Sequence, residues 1–182
     1  ALAYYGYIPH VFLHSGLYVD APSWLLATPV TSMFLHGGWM HLIGNMLFLW
    51  IFGDNVEDRL GHFVYFIFYI AAGVAASMAH ILLEPGSTSP MVGASGAIAG
   101  VLGAYFLLFP KAQINTLDIL PLYISMVRLP ALFFLGFWFL LQVLNSGASS
   151  SGGVAWYAHI GGFVAGVAVA LAYRALKPAR NR

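Results

Sequence analysis

The chain contains no cysteine, which excludes disulfides, thiolate nucleophiles and thiolate metal sites. Charge is nearly as scarce: Asp, Glu, Lys and Arg together make up 7% of the 182 residues, against about 25% in a soluble domain. So few charges cannot cover a surface that faces water. With 60% of the residues hydrophobic, the solvent for this chain is the lipid bilayer. The net charge of +1 gives no nucleic-acid footprint, so no nucleic-acid partner is expected. The N-terminal residues also lack the basic start and apolar run of a signal peptide.

What is present is a series of long apolar stretches, roughly 32–52, 63–83, 93–109, 129–145 and 154–173. Each approaches the ~17–25 residues that a membrane helix needs. The expected fold is therefore all-α, a polytopic membrane helix bundle forming one domain. "GDNVEDRLGH", "EPGSTSP", "PKAQINTLDILP" and "NSGASSSGG" separate the stretches and read as loops by composition. In "DNVEDR", Glu57 and Arg59 are expected in a solvated loop near a helix start. Residues 1–31 are aromatic and interrupted by Gly6, Pro9, Gly16 and Pro22. They read as an interfacial or re-entrant segment, with Trp24 as one anchor.

Basic residues assign the orientation. Arg59, Lys111, Arg128, Arg174, Lys177, Arg180 and Arg182 all fall in alternate connections, and the other set has none. The positive-inside rule puts the first set, with the tail 174–182, in the cytoplasm, and residues 1–31 outside.

No Asp or Glu lies within the five stretches. The notable polar groups there are His36, His41, Asn45, His80, Ser95, Gln142 and His159. Ionisable residues within a membrane are costly and are functional candidates by default. Ser95 is near the outer start of its span. His159, sixth in its own, lies roughly 8 Å below the outer end. His41 and Asn45 are four apart, hence on one helix face. His36 is expected nearer the helix mouth, turned from His41 by roughly 140°. His80 reads as interfacial and Gln142 as a packing hydrogen bond.

The Ser95 and His159 spans are also glycine-faced. Gly93, Gly96, Gly100 and Gly103 recur at three or four residues, and Gly162 and Gly166 at four. Small residues at that spacing let membrane helices pack backbone to backbone. Gly93 and Gly96 would allow the turn and close approach at the serine. Packing alone would explain such glycines, but these faces carry a hydroxyl and an imidazole at matching depth. A serine hydroxyl needs a base to become a nucleophile. His159 can take its proton and return it to a leaving amine. With no carboxylate inside the spans, the pair would be a dyad. Asn45, a His41 ring N–H and the Ser95 backbone N–H can supply donors for an oxyanion. Hydrolysis there requires a wet cavity open to the outside.

The pieces "HGGWMHLIGNMLFLWIFG", "GASGAIAG" and "AHIGGFVAG", each on its own span and in that order, resemble the rhomboid family of intramembrane serine proteases. "GDNVEDRLG" and "LGAYFLLFP" extend the resemblance over nearly the whole chain. It implies that Ser95 is the nucleophile and His159 the general base, with His41 and Asn45 on the oxyanion side. It gives His36 a structural or cavity-lining role. It also implies cleavage of single-span membrane proteins without metal or cofactor, from a bacterial inner membrane. A six-helix core is implied as well, so a first helix is expected ahead of "YYGYIPHVF". Two features depart from the family: Ala99 stands where some relatives carry an aromatic stacked on the base, and the Trp-Arg pair common in the outer loop is absent.

Other classes fit less well. An intramembrane metalloprotease needs an HExxH-like site, and an aspartyl protease two intramembrane Asp residues; neither is present. A transporter would show repeated, interrupted helices. A catalytically inactive relative that binds client transmembrane helices is the alternative. The aromatic fourth span, with Phe133, Phe134, Phe137, Trp138 and Phe139, is a candidate lateral gate for substrate.

Overall fold

A computed structural model describes residues 5–16, 23–120, 123–147 and 154–176. The 148–153 part of the serine-rich connection and the basic residues Lys177, Arg180 and Arg182 lie outside them. Among the described residues a short helix α1 (Ser23–Thr31) precedes five longer ones: α2 (Trp39–Leu60), α3 (His62–Leu83), α4 (Ser95–Leu108), α5 (Ala131–Ser146) and α6 (Trp156–Leu176). Between α4 and α5 stands an antiparallel hairpin, β1 (Gln113–Leu120) and β2 (Tyr123–Pro130), in register from Gln113 opposite Pro130 to Leu120 opposite Tyr123. The architecture is an all-α membrane bundle with this one hairpin attached. α3 and α6 are long and apolar enough to cross a bilayer by length and composition.

The bundle is apolar outside as well as inside. Trp39, Met40 and Trp50 on α2, Phe63 and Phe66 on α3, and Phe133 and Phe137 on α5 are exposed. Large side chains facing outward on three helices are what a lipid solvent permits and water penalises.

α4 is the central element. Every residue from Ala97 to Tyr105 is buried, because small side chains let two neighbours approach at once. Gly96 and Gly100 face the Ala76 and Ala72 methyls of α3. On the α6 side, a methyl on Gly162 would strike the Gly96 carbonyl, and one on Gly166 the Gly100 carbonyl. This is backbone-to-backbone packing, and only glycine fits it. Larger residues fill the rest of the core: Phe52 meets Tyr105 edge-on at 5.1 Å, and Phe139 stacks on Phe163 at 4.5 Å.

Two readings from composition change. α2 does not end near Phe52 but runs to Leu60, so "GDNVEDR" is helix rather than loop. Phe52 and Val56 are buried against the bundle while Asp54 and Asp58 are exposed, so the inner face stays apolar past the membrane. Glu57 and Arg59 thus sit in the last turns of α2, just ahead of the start of α3, where His62 lies 2.7 Å from the Glu57 Oε1. The connection 110–128, read as loop, forms most of the hairpin, which takes in Leu129 and Pro130 of the fourth apolar run as well; Ile114 is buried in the main core, and Ala131 donates to the Ala112 carbonyl at 2.8 Å. His80, in the last turn of α3, is buried, 3.7 Å from Glu84.

The N-terminal segment ties down the connection before α4. Tyr7 and Met91 exchange backbone hydrogen bonds of 3.1 and 2.7 Å, and Gly93 donates to the Ser32 carbonyl at 2.9 Å. Pro9–Val11 and Phe12–Gly16 form helical turns there.

Candidate active site

Ser95 is the first residue of α4, a helix of 14 residues. That is roughly 21 Å at ~1.5 Å per residue, against a hydrocarbon core of about 30 Å. The other end of α4 is anchored at the basic side: Arg174 donates to the Leu107 carbonyl, and the Arg59 guanidinium sits 5.0 Å over the Phe109 ring. With that end at the surface, Ser95 lies some way below the opposite face. Gly93, two residues earlier, has φ +113, in the region that L-residues avoid. It turns the chain into the helix.

His159, in the first turn of α6, brings its Nε2 to 2.8 Å from the Ser95 Oγ. The glycine seam makes this approach possible, since Gly96 and Gly162 hold the two backbones together immediately beside the pair. The other ring nitrogen, Nδ1, is 2.9 Å from the Gln142 Oε1 on α5. Trp138 and Trp156 flank the imidazole at 6.0 and 6.3 Å between ring centres.

His41 and Asn45 approach from α2. A methyl on Gly93 would lie 2.6 Å from the His41 Nε2 and 3.4 Å from the Asn45 Nδ2. The Gly37 N–H donates to the His41 Nδ1 at 3.4 Å, so in the neutral ring the proton is on Nε2, the atom facing Gly93. The Asn45 Nδ2 is buried without a hydrogen-bond partner among the described residues. An unpaired buried amide is costly unless something arrives to accept from it. Two donors thus converge on Gly93, two residues before the serine.

His36 precedes α2 instead of lying on it, so helical periodicity does not apply. Its ring meets His41 edge-on at 5.2 Å, not turned away from it. Gly96 belongs to the helix seam and lines the cavity as well. Ser95, His159, His41, Asn45 and Trp138 line a cavity of ≈ 510 Å³. At ~30 Å³ per water, that has room for more than ten molecules. Among the described residues no three His, Asp or Glu side chains group as metal ligands do.

Gln142, Trp138 and Trp156 are the neighbours that sequence reasoning under-read. Gln142 was legible as a polar amide within the fourth span, with Trp138 one turn before it on the same face. Its outer position matches the depth of His159. Ala99 has no room for an aromatic: it is fully buried, and its Cβ is 3.3 Å from where a Gly162 methyl would stand. The imidazole is held from α5 and by Trp156 instead.

The family sequence model described as Rhomboid domain matches residues 24–176. The chain is 40% identical over 85 residues to Rhomboid-like protein 11, chloroplastic, of Arabidopsis thaliana, covering 47% of this chain and 29% of that protein. It is 38% identical over 89 residues to Rhomboid protein 1, mitochondrial, of Saccharomyces cerevisiae, covering 47% and 26%. It is 43% identical over 81 residues to Rhomboid protease GluP of Bacillus subtilis, covering 44% and 15%. In each case the match spans less than a third of the relative's length.

Proposed function

The chain belongs to the rhomboid family of integral membrane proteins, and we propose that it is an intramembrane serine endopeptidase. In this reading Ser95 is the nucleophile and His159 the general base. The observation that carries the reading is the 2.8 Å contact between the His159 Nε2 and the Ser95 Oγ at the floor of a cavity large enough for water.

As the Ser95 Oγ attacks the carbonyl carbon of a substrate peptide, its proton passes to the His159 Nε2. The carbonyl oxygen becomes an oxyanion and accepts from the His41 Nε2–H, the Asn45 Nδ2–H and the Ser95 backbone N–H. The first residues of a helix have no intrahelical acceptor for their N–H groups, so the Ser95 amide is available. The intermediate collapses, the C–N bond breaks, and the imidazolium returns its proton to the leaving amine. A cavity water then attacks the acyl-serine, its proton going to His159 and from there to the Ser95 Oγ. Ser95 and His159 form the acting pair, and no carboxylate takes part.

The substrate class in this reading is single-span transmembrane proteins, cut near the outer face, with α5 and its exposed phenylalanines bordering the lipid route to the cavity. The membrane is a bacterial plasma membrane with the C-terminus inside. The one-sided distribution of Lys and Arg supports that orientation. A panel of single-span test proteins, reconstituted with the full chain in liposomes, tests the activity. Cleavage near the outer face, lost in Ser95→Ala and in His159→Ala, supports it. A folded protein that binds the test helices without cutting them replaces it with client binding.

A further inference from the structure

Gln142 makes two hydrogen bonds, and together they fix which way its amide points. Its Nε2 donates to the Trp138 carbonyl at 3.0 Å. A carbonyl only accepts, so the NH₂ end must face Trp138. The Oε1 is thereby turned to the His159 Nδ1, 2.9 Å away. The side chain is 5% exposed, so water does not compete at either end. An amide oxygen in that place can only accept, so the proton of the neutral imidazole is held on Nδ1 and Nε2 is left with a free lone pair. That lone pair is what faces the Ser95 Oγ.

We propose that Gln142 is a positioning residue that keeps His159 in its Nδ1–H tautomer, so that the nitrogen facing Ser95 is always the one able to take a proton. The proposal deepens the proteolytic reading and rests on it for its kinetic consequence. The contact also ties the chemistry to the seat of a third helix. Ser95 belongs to α4 and His159 to α6, whereas Gln142 and the indole of Trp138 belong to α5. When α5 is in place, the ring is held both by an acceptor on Nδ1 and by an aromatic flank. When α5 shifts, the tautomer is no longer fixed and the Nε2–H form, which cannot accept from Ser95, becomes populated. The amide dipole further favours the imidazolium that forms during attack, because the Oε1 lies against the Nδ1–H throughout.

The test compares the full chain with Gln142→Met, which keeps length and removes the acceptor, and Gln142→Glu, which keeps an acceptor oxygen in place. Gln142→Leu serves as a second apolar variant should the Met protein fold poorly, with thermal unfolding measured on each. NMR of isotope-labelled histidine, with His159→Ala to assign the signal, reads the tautomer directly and needs no activity. Kinetics on a cleavable single-span protein read kcat and KM. The wild type is expected to show His159 protonated on Nδ1. The apolar variants are expected to show the Nε2–H form, with kcat down by about 10- to 100-fold, the scale on which loss of a histidine's hydrogen-bond partner acts in metal sites. KM should stay within about twofold. Gln142→Glu should retain the Nδ1–H form and recover most of kcat. An apolar variant that folds, keeps the proton on Nδ1 and retains its kcat overturns the proposal. A wild type that never cleaves overturns the proteolytic reading instead, while the tautomer comparison still stands or falls by NMR.

Discussion

The Ser95 Oγ and the His159 Nε2 are 2.8 Å apart although 64 positions separate them in the chain. Neither side chain reaches far. The contact exists because α4 and α6 touch through their backbones, with Gly162 against the Gly96 carbonyl and Gly166 against that of Gly100. The hydroxyl–imidazole pair is thus a product of helix packing, and changes in that packing should be felt as lost chemistry.

Gly162→Ala is the sharpest probe of that dependence. The new methyl points at the Gly96 carbonyl, so α4 and α6 must separate. Overpacking of this kind costs about 1–3 kcal/mol, to be read in thermal or denaturant unfolding. Gly162 is three residues from His159 and Gly96 is next to Ser95. A displacement near 1 Å at the pair is expected to reduce cleavage about 100-fold, more than the stability loss alone would.

Gly93→Ala is expected to damage the site while sparing the bundle. Its φ of +113 strains any L-residue, at a cost of about 1–3 kcal/mol. The added methyl would lie 2.6 Å from the His41 ring atoms Cε1 and Nε2. His41 must move, and Ser95 with it. Cleavage should fall at least tenfold, with helicity by circular dichroism unchanged.

Asn45→Ala and His41→Ala remove the two donors that converge beside Ser95. Each is expected to lower kcat by about 100- to 1,000-fold, as loss of one oxyanion donor does, with KM little changed. The double variant should lose less than the product of the two, since both donors serve one oxygen. Steady-state kinetics on a single-span test protein give all three numbers.

Ala99→Tyr would place an aromatic where some relatives carry one. Here the position is fully buried and pressed toward Gly162, so the ring has nowhere to go. The expected result is destabilisation of about 1–3 kcal/mol or more and lower activity, measured by unfolding and cleavage on the same sample. Higher activity would show that the contacts from Trp138, Trp156 and Gln142 do not hold His159 well.

Much of this architecture can be read from the residues. The apolar runs mark the helices to within a few positions for α3, α4, α5 and α6, because lipid demands apolar side chains on the outside as well as the inside. Glycine spacing marks which helices touch, because only that spacing permits backbone contact. What escapes is set by tertiary contact. "GDNVEDR" has the composition of a loop, yet Val56 is completely buried and holds the segment in α2. The connection 110–128 resembles a linker until Ile114 is seen in the core. His36 is off the helix that its spacing suggests. Gln142 was visible as a polar residue in a span, but its partner was not, since nothing in the fourth apolar run says that it faces His159.

The account stands or falls on whether Ser95 is an activated nucleophile. A fluorophosphonate probe applied to the folded full chain in liposomes, followed by mass spectrometric mapping of the adduct, addresses this directly. The expected result is a single adduct on Ser95, absent in Ser95→Ala and slowed at least 100-fold in His159→Ala. A folded protein that takes up no probe, or is labelled equally well without Ser95, would contradict it.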